Sequence, residues 1–318
     1  MKKEDIRKYI SKLKKSNNLS VNDYFLEKDY VLSLFLSNWE KQNTPNLDKL
    51  VFKGGTLLTK NYLKYHRISE DLDFTHKDSN IIRNMSSKNK LESYIKKLVL
   101  PIIDEIKILC DLSNLTFEKD RTNDKFIEVR NSRKLYVFKL WYKSLFTGIP
   151  SFIKFEISFV EDLIFETSIN EVKNILDYYP IDEVDLKIMK YDVVNSNILV
   201  YSLEEIVLEK IRACLTRPEF QVRDVFDLFL INKKFDVLKF EDDSIFRKLS
   251  ATPFEHDLVL LNLKNFLSRE IVLDLDDVLS LSLVDFDEKE FEIFFEGLIL
   301  YLKRIAKDYL IKFSEPIN

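Results

Sequence analysis

Glycine and cysteine are the scarce residues of this 318-residue chain, with four of the first and two of the second. Cys110 and Cys214 lie far apart, with no C-x-x-C and no Cys/His ligand set, which argues against a disulfide framework or structural zinc and fits a reducing compartment. No apolar run approaches the ~18 residues of a membrane span. The basic N-terminus interleaves its charges with Ile and Leu and lacks the continuous apolar stretch of a signal peptide. A cytoplasmic protein without a membrane partner is expected. Charge of one dominant sign is also lacking: Lys+Arg 49 against Asp+Glu 53 leaves a net charge of -4. Strong nonspecific attraction to nucleic acid would therefore have to come from local patches. Residues 2–15 carry seven bases and two acids, residues 119–134 six and three, and residues 272–296 one base and nine acids. Each basic segment is either such a patch or, like the acidic one, an ordinary solvated face.

With 46% hydrophobic residues the chain can build one large core or two modest ones. Residues 4–15 and 23–41 have the apolar spacing of amphipathic helices. Two of the scarce glycines then stand together. Leu50, Val51 and Phe52 predict a short strand ending at Lys53-Gly54-Gly55, and Thr56 is placed to cap a following helix that carries Leu57, Leu58, Tyr62 and Leu63. In the next strand, EDLDF, Leu72 and Phe74 alternate with Asp71 and Asp73, so burying the first pair puts both carboxylates on the opposite face. Residues 89–110 read as helix with a break at Pro101. Between 114 and 160 the pattern becomes alternating and aromatic-rich, with a turn at Thr147-Gly148-Ile149-Pro150 between two antiparallel strands. In the second of these Ile153, Phe155, Ile157 and Phe159 share one face, leaving Lys154 and Glu156 on the other.

From Ser202 the chain reads as helical to its end, and Ser202-Leu203-Glu204-Glu205 fits a capping box. The fold class expected is α+β: a mixed-sheet domain over residues 1–198, followed by a helical domain over 199–318, with the ligand in the cleft between them. On the helix that starts at Ser202, Lys210 falls inside the apolar stripe. Its ammonium either meets a partner or snorkels to water.

A glycine pair after a strand lets phosphate oxygens approach the backbone. Two carboxylates at i and i+2 on one strand face can hold Mg²⁺ jointly with substrate phosphates, and a third from a neighbouring strand, Glu156, would complete a site for one or two ions. Alone, each piece has a plainer explanation: a turn, an exposed strand edge, a solvated glutamate. The order strand, Gly-Gly-Thr, helix, D-x-D strand gathers an anion cradle and metal ligands in one compact unit.

"FKGGTLLTK…RISEDLDF" resembles the signature of the AbiEii/AbiGii toxin nucleotidyltransferases, a branch of the polymerase-beta-like nucleotidyltransferase superfamily. "IKFEIS" and "SLEEIVLEKIRACLTRPEFQVRDVFDL" are similar to its later blocks, so the motif-bearing resemblance spans roughly residues 50–230. It implies a polymerase-beta-like core with Gly54, Gly55 and Thr56 on the triphosphate of an NTP, Asp71 and Asp73 on Mg²⁺, and Glu156 in the more variable third acidic place. Lys210 would contact the triphosphate and Asp224 would support the site. Arg67 and Ser69 would position the loop or touch phosphate; Arg223 and Asp227 stand at i, i+4, where an intrahelical ion pair is the plainer of two explanations, the other being a part in the site. The resemblance further implies a toxin of a toxin–antitoxin or abortive-infection (phage defence) system, neutralised by a separately encoded antitoxin, with the tRNA 3′ end as a leading acceptor. Basic residues at 2–15 or 119–134 would guide it. Two other readings keep the same site: nucleotidylation of a protein hydroxyl, and an NTP sensor without turnover, which the second aspartate argues against. Ribonuclease or protease sensitivity of labelled product separates the acceptors, and turnover separates enzyme from sensor.

Overall fold

A computed structural model describes residues 1–131, 134–250 and 256–313. The chain forms two compact units. The first holds Met1–Val160 and Thr167–Tyr201; the second holds Glu161–Glu166 and the chain from Ser202 onward.

The first unit is α+β. Helices α1 (Lys3–Asn17) and α2 (Asp23–Glu40) precede strand β1 (Leu50–Lys53). A short helix α3 (Gly54–Leu57) and a wider turn over Leu58–Tyr62 follow, and then β2 (Asp71–His76). Next come α4 (Ser79–Arg83), α5 (Lys88–Leu112), β3 (Ile127–Arg130), β4 (Leu135–Lys143) and β5 (Pro150–Ser158). β6 (Ser168–Val172), α6 (Glu183–Ile188) and β7 (Ser196–Val200) complete the unit. The seven strands are ordered β3-β4-β5-β2-β1-β7-β6. β2/β5 and β1/β7 are parallel pairs and the other neighbours are antiparallel, so the sheet is mixed.

Alternation fixes the two faces of this sheet. Phe52, Leu72, Phe74, Phe138, Phe155 and Ile157 are fully buried on one face. There Phe74 stacks between Phe52 and Phe155 at 4.9 and 4.7 Å, and Trp39 of α2 packs on Phe74 at 5.4 Å. Burying rings of this size contributes roughly 1.5–3 kcal/mol each, which pins the register. Because a one-residue slip would exchange the faces, the same burial holds Asp71, Asp73 and Glu156 on the other side.

Pro101 does not break its helix. α5 runs unbroken from Lys88 to Leu112, with Pro101 inside it. The buried stripe Leu91, Ile95, Val99, Ile102, Ile106 and Leu109 continues through the proline, and this packing offsets the ~3 kcal/mol that an internal proline costs. β6 and β7 lie in a stretch where no strand was expected; β6 reads SINEV and pairs on one side only, at the sheet edge.

The second unit is helical: α7 (Leu203–Thr216), α8 (Val222–Asn232), α9 (Asp242–Leu249), α10 (His256–Ser268), α11 (Leu275–Leu281) and α12 (Glu288–Phe313). Ser202 caps α7 by accepting from the Glu205 N–H at 3.2 Å. Glu205 does not complete a capping box. Its carboxylate accepts from the Ile164 and Phe165 N–H groups at 2.9 and 2.8 Å and meets Lys248 at 2.6 Å, anchoring the Glu161–Glu166 segment. Among the described residues no helix is long and apolar enough to cross a membrane.

Candidate active site

β1 leads directly into Gly54, whose φ of +79° lies in the left-handed region that favours glycine. Lys53 is opposite Asp73 in the β1/β2 pairing, so the turn lies against the D-x-D strand. A Cβ at Gly54 would overlap Asp73 Oδ2 and lie 3.1 Å from the Asp73 Cβ; one at Gly55 would lie 2.6 Å from Arg67 Nη2 and 3.0 Å from Ser69 Oγ. Both glycines are therefore required by close approach, and both remain partly exposed.

Thr56 is not an N-cap, because the helix already begins at Gly54. Its buried hydroxyl hydrogen-bonds the Asp71 carbonyl and Ser69 Oγ, the latter at 2.9 Å. The Gly-Gly-Thr turn is thereby tied to the start of β2. Arg67 is buried and donates to the Ile68 carbonyl at 2.9 Å, so it braces the loop beneath Gly55.

Glu156 comes to the D-x-D strand from β5, far along the chain. In the parallel β2/β5 pairing Asp73 is opposite Glu156 and Asp71 is opposite Lys154. Burial raises the Asp71 carboxyl above its ordinary value despite the opposing charges of Lys154 and Lys28. Burial, with Glu156 and Asp71 nearby, pushes Asp73 up to about 6. Carboxylates kept from ionising first by burial and then by one another's charge are relieved by a cation. Among the described residues no three His, Cys, Asp or Glu side chains form a ready-made metal cage. Mg²⁺ is usually held by one or two carboxylates, with substrate phosphates and water filling the rest. The oxygen donors and the Cβ-free approach at Gly54 fit such an ion at Asp71 and Asp73; Glu156 lies beside them, ion-paired to Lys154.

Lys210 and Asp224 belong to the second unit. The Lys210 ammonium lies 2.9 Å from Asp224 Oδ1 and 2.6 Å from Asp227 Oδ2, all three being buried. Burial alone would raise Asp224, but Lys210 and Arg217 hold it below the usual carboxylate range. Lys210 thus meets partners and does not snorkel. The pairing of Asp227 with Lys210 takes the place of the expected Arg223–Asp227 pair, since Asp227 points inward while Arg223 is exposed.

Four bases of the two basic segments are held in ion pairs. Lys12 pairs with Asp185 at 2.7 Å, Lys14 with Asp23 at 2.6 Å, Lys119 with Asp104 at 2.6 Å and Arg130 with Glu128 at 2.6 Å. Arg133 lies outside the described residues. Sequence reasoning noted Lys154 only as a face-sharer of Glu156 and missed Lys28, which pairs with Glu70 at 2.7 Å next to Asp71. Its signal was weak: one lysine in α2, a helix separated from the D-x-D by the whole of β1 and the glycine turn.

A Gly-Gly turn set against clustered carboxylates on a mixed sheet is the equipment of an enzyme that handles nucleotide phosphates. The chain belongs to the family of nucleotidyl transferase AbiEii toxins of type IV toxin–antitoxin systems, whose pattern it matches over residues 41–296, and is accordingly a nucleotidyltransferase of the toxin class. No curated protein matches it in sequence. Among solved structures it is similar to JHP933 from Helicobacter pylori, with 17% identity, 93% of this chain and 95% of that one covered, and a TM-score of 0.40. It is also similar to MenT4, a nucleotidyltransferase toxin from Mycobacterium tuberculosis H37Rv, with 14% identity, 96% and 93% covered, and a TM-score of 0.47.

Proposed function

We propose that the protein is a cytoplasmic, Mg²⁺-dependent nucleotidyltransferase toxin that moves a nucleoside monophosphate from NTP to a terminal RNA hydroxyl, the tRNA 3′ end being the leading acceptor, in a phage-defence system controlled by a separate antitoxin. The observation that carries the chemistry is the placing of Asp71, Asp73 and Glu156 side by side across β2 and β5, against the Gly54-Gly55 turn.

In this reading Asp71 and Asp73 hold the metal, and Gly54 and Gly55 let the triphosphate approach the backbone. Thr56 acts at one remove, by fastening that turn to the Asp71 carbonyl. A bound Mg²⁺ supplies charge neutralisation for the triphosphate and the departing pyrophosphate. Glu156 acts in this reading as a third metal ligand or as the general base for the attacking hydroxyl. The family resemblance assigns Lys210 to the triphosphate and Asp224 to its support. With a net charge of -4, a short acceptor end suits the protein better than a long duplex, whose binding draws on many phosphate contacts.

The test is incubation of the protein with each α-labelled NTP, Mg²⁺ and either total RNA or cell lysate. Label in a ribonuclease-sensitive band of tRNA size, absent with Asp71→Asn or Asp73→Asn, is the expected result. Label that resists ribonuclease but yields to protease would transfer the assignment to protein nucleotidylation. No label with any of the four NTPs, with NTP binding still measurable, would leave a sensor.

A further inference from the structure

Lys154 is on the open face of the sheet, among the carboxylates. It is opposite Asp71 in the β2/β5 pairing, at i−2 from Glu156 on its own strand, and its ammonium is ion-paired to Glu156. Residues at i and i+2 of a strand are ~7 Å apart on one face, within reach of a lysine that folds along the strand. The same positive charge acts on Asp71 and Asp73. Of the other nearby cations, Lys28 holds Glu70, and Lys139, opposite Lys154 on β4, holds Glu128 at 3.2 Å and donates to the Asp124 carbonyl at 3.0 Å, while Lys53, opposite Asp73 on β1, also bears on that carboxylate. Both Lys154 and Glu156 keep some exposure, at 30% and 17% of their side chains, so the pair can open without unfolding the sheet.

We propose that Lys154 is a built-in stand-in for the metal: its ammonium neutralises the carboxylate cluster when no divalent cation is there, and is released to the nucleotide's phosphates when one binds. The inference rests on the metal reading of Asp71 and Asp73 given above. A lysine suits the task better than an arginine would, since a compact ammonium on a flexible stem can exchange one anionic partner for another, whereas a planar fork favours a fixed bidentate contact. The exchange also keeps the net charge around the site nearly constant, which spares the folded protein three crowded carboxylates without a counter-ion. Lys154 is a positioning residue toward the metal and a binding residue toward the triphosphate, and these two roles respond to its removal with opposite signs.

The experiment compares wild type, Lys154→Met and Lys154→Arg in three measurements: calorimetric titration with Mn²⁺ alone, titration with a non-hydrolysable NTP analogue at saturating Mn²⁺, and melting with and without Mn²⁺. Lys154→Met should bind Mn²⁺ about tenfold more tightly, the competing ion pair being gone, and, once loaded with Mn²⁺, should bind the analogue about tenfold more weakly than wild type, a charge-assisted phosphate contact being lost. Its melting temperature should be lower than wild type without Mn²⁺ and should gain more from it. Lys154→Arg, which keeps the charge, should stay near wild type in Mn²⁺ affinity and serves as the readout if the Met variant does not fold. Equal or weaker Mn²⁺ binding by a folded Lys154→Met, or tighter binding by Lys154→Arg, would overturn the stand-in role while leaving the metal site intact. Absence of Mn²⁺ binding in every form, wild type included, would instead overturn the metal reading on which it rests.

Discussion

Replacing Gly54 by alanine tests the candidate site through one methyl group. Gly54 has φ +79°, where an L-residue costs roughly 1–2 kcal/mol; at about 2–4 °C per kcal/mol this lowers the melting temperature by about 2–8 °C. The new Cβ also overlaps Asp73 Oδ2, with the Asp73 Cβ and Cγ only 3.1 and 3.2 Å away. Since carbon contacts settle near ~3.5–4.0 Å, the carboxylate has to retreat by about 1 Å. A displacement of that size at a reacting centre costs on the order of 10²-fold in rate. Gly55→Ala is the internal comparison. Its Cβ meets the ends of two side chains, Arg67 Nη2 at 2.6 Å and Ser69 Oγ at 3.0 Å, and no left-handed φ is involved, so the loss should be milder, about tenfold. The assay is initial-rate transfer of label from an α-labelled NTP, with melting followed by circular dichroism on the same samples. A Gly54→Ala protein that transfers at the wild-type rate, or one less impaired than Gly55→Ala, would refute the argument that Asp73 is held against this turn for catalysis.

Asp71→Asn and Asp73→Asn should each reduce transfer by at least ~10³-fold while preserving the fold, as read from labelled product and circular dichroism; near-normal transfer at saturating Mg²⁺ would sink the site. Asp73 also predicts a pH dependence: its carboxyl, lifted to about 6 chiefly by burial, binds a proton in the folded chain at pH values where the unfolded chain, near the ordinary ~3.9, has lost it. Without divalent cations, stability should therefore fall as pH rises from about 4 to about 6 and level off above, and thermal melts of Asp73→Asn should lack that component. Lys210→Ala should destabilise the second unit by about 3–5 kcal/mol by leaving Asp224 and Asp227 buried without their ammonium; urea denaturation should show recovery when Asp227→Asn is added. Lys248→Met should cost about as much, because Lys248 is fully buried with Glu205 and Glu209 at 2.6 and 2.7 Å, and proteolysis of the Glu161–Glu166 segment should accelerate.

Local features of the fold were legible in the sequence. β1, the Gly-Gly turn and the D-x-D strand declare themselves through alternation and glycine placement within one short stretch, and the structure sets Asp71 and Asp73 opposite the buried Leu72 and Phe74 as that alternation requires. Features that depend on distant pairing were not. That Asp73 meets Glu156, and Asp71 meets Lys154, is decided by a parallel register between strands far apart in the chain, which periodicity within either strand does not contain. Thr56 looked like a cap because threonine before a helical pattern commonly is one; its hydroxyl is instead used across space by Ser69 and the Asp71 backbone. Lys210 stood out by its place in an apolar stripe, but its two carboxylate partners come from the next helix, α8, and the stripe says nothing of them. Pro101 misled because propensity is local, whereas the stripe that carries α5 past it is tertiary.

The parallel pairing of β2 with β5 has a consequence for the timing of synthesis. A nascent chain exposes Asp71 and Asp73 long before Glu156 has been made, and β1 waits still longer for its neighbour β7 at Ser196–Val200. Contacts of such long sequence separation form late, after the loops between them have closed. A ribosome-bound fragment of this toxin therefore carries the D-x-D strand but not the strand that completes its carboxylate cluster. The sheet that brings Asp71, Asp73 and Glu156 together closes only once most of the chain has been released.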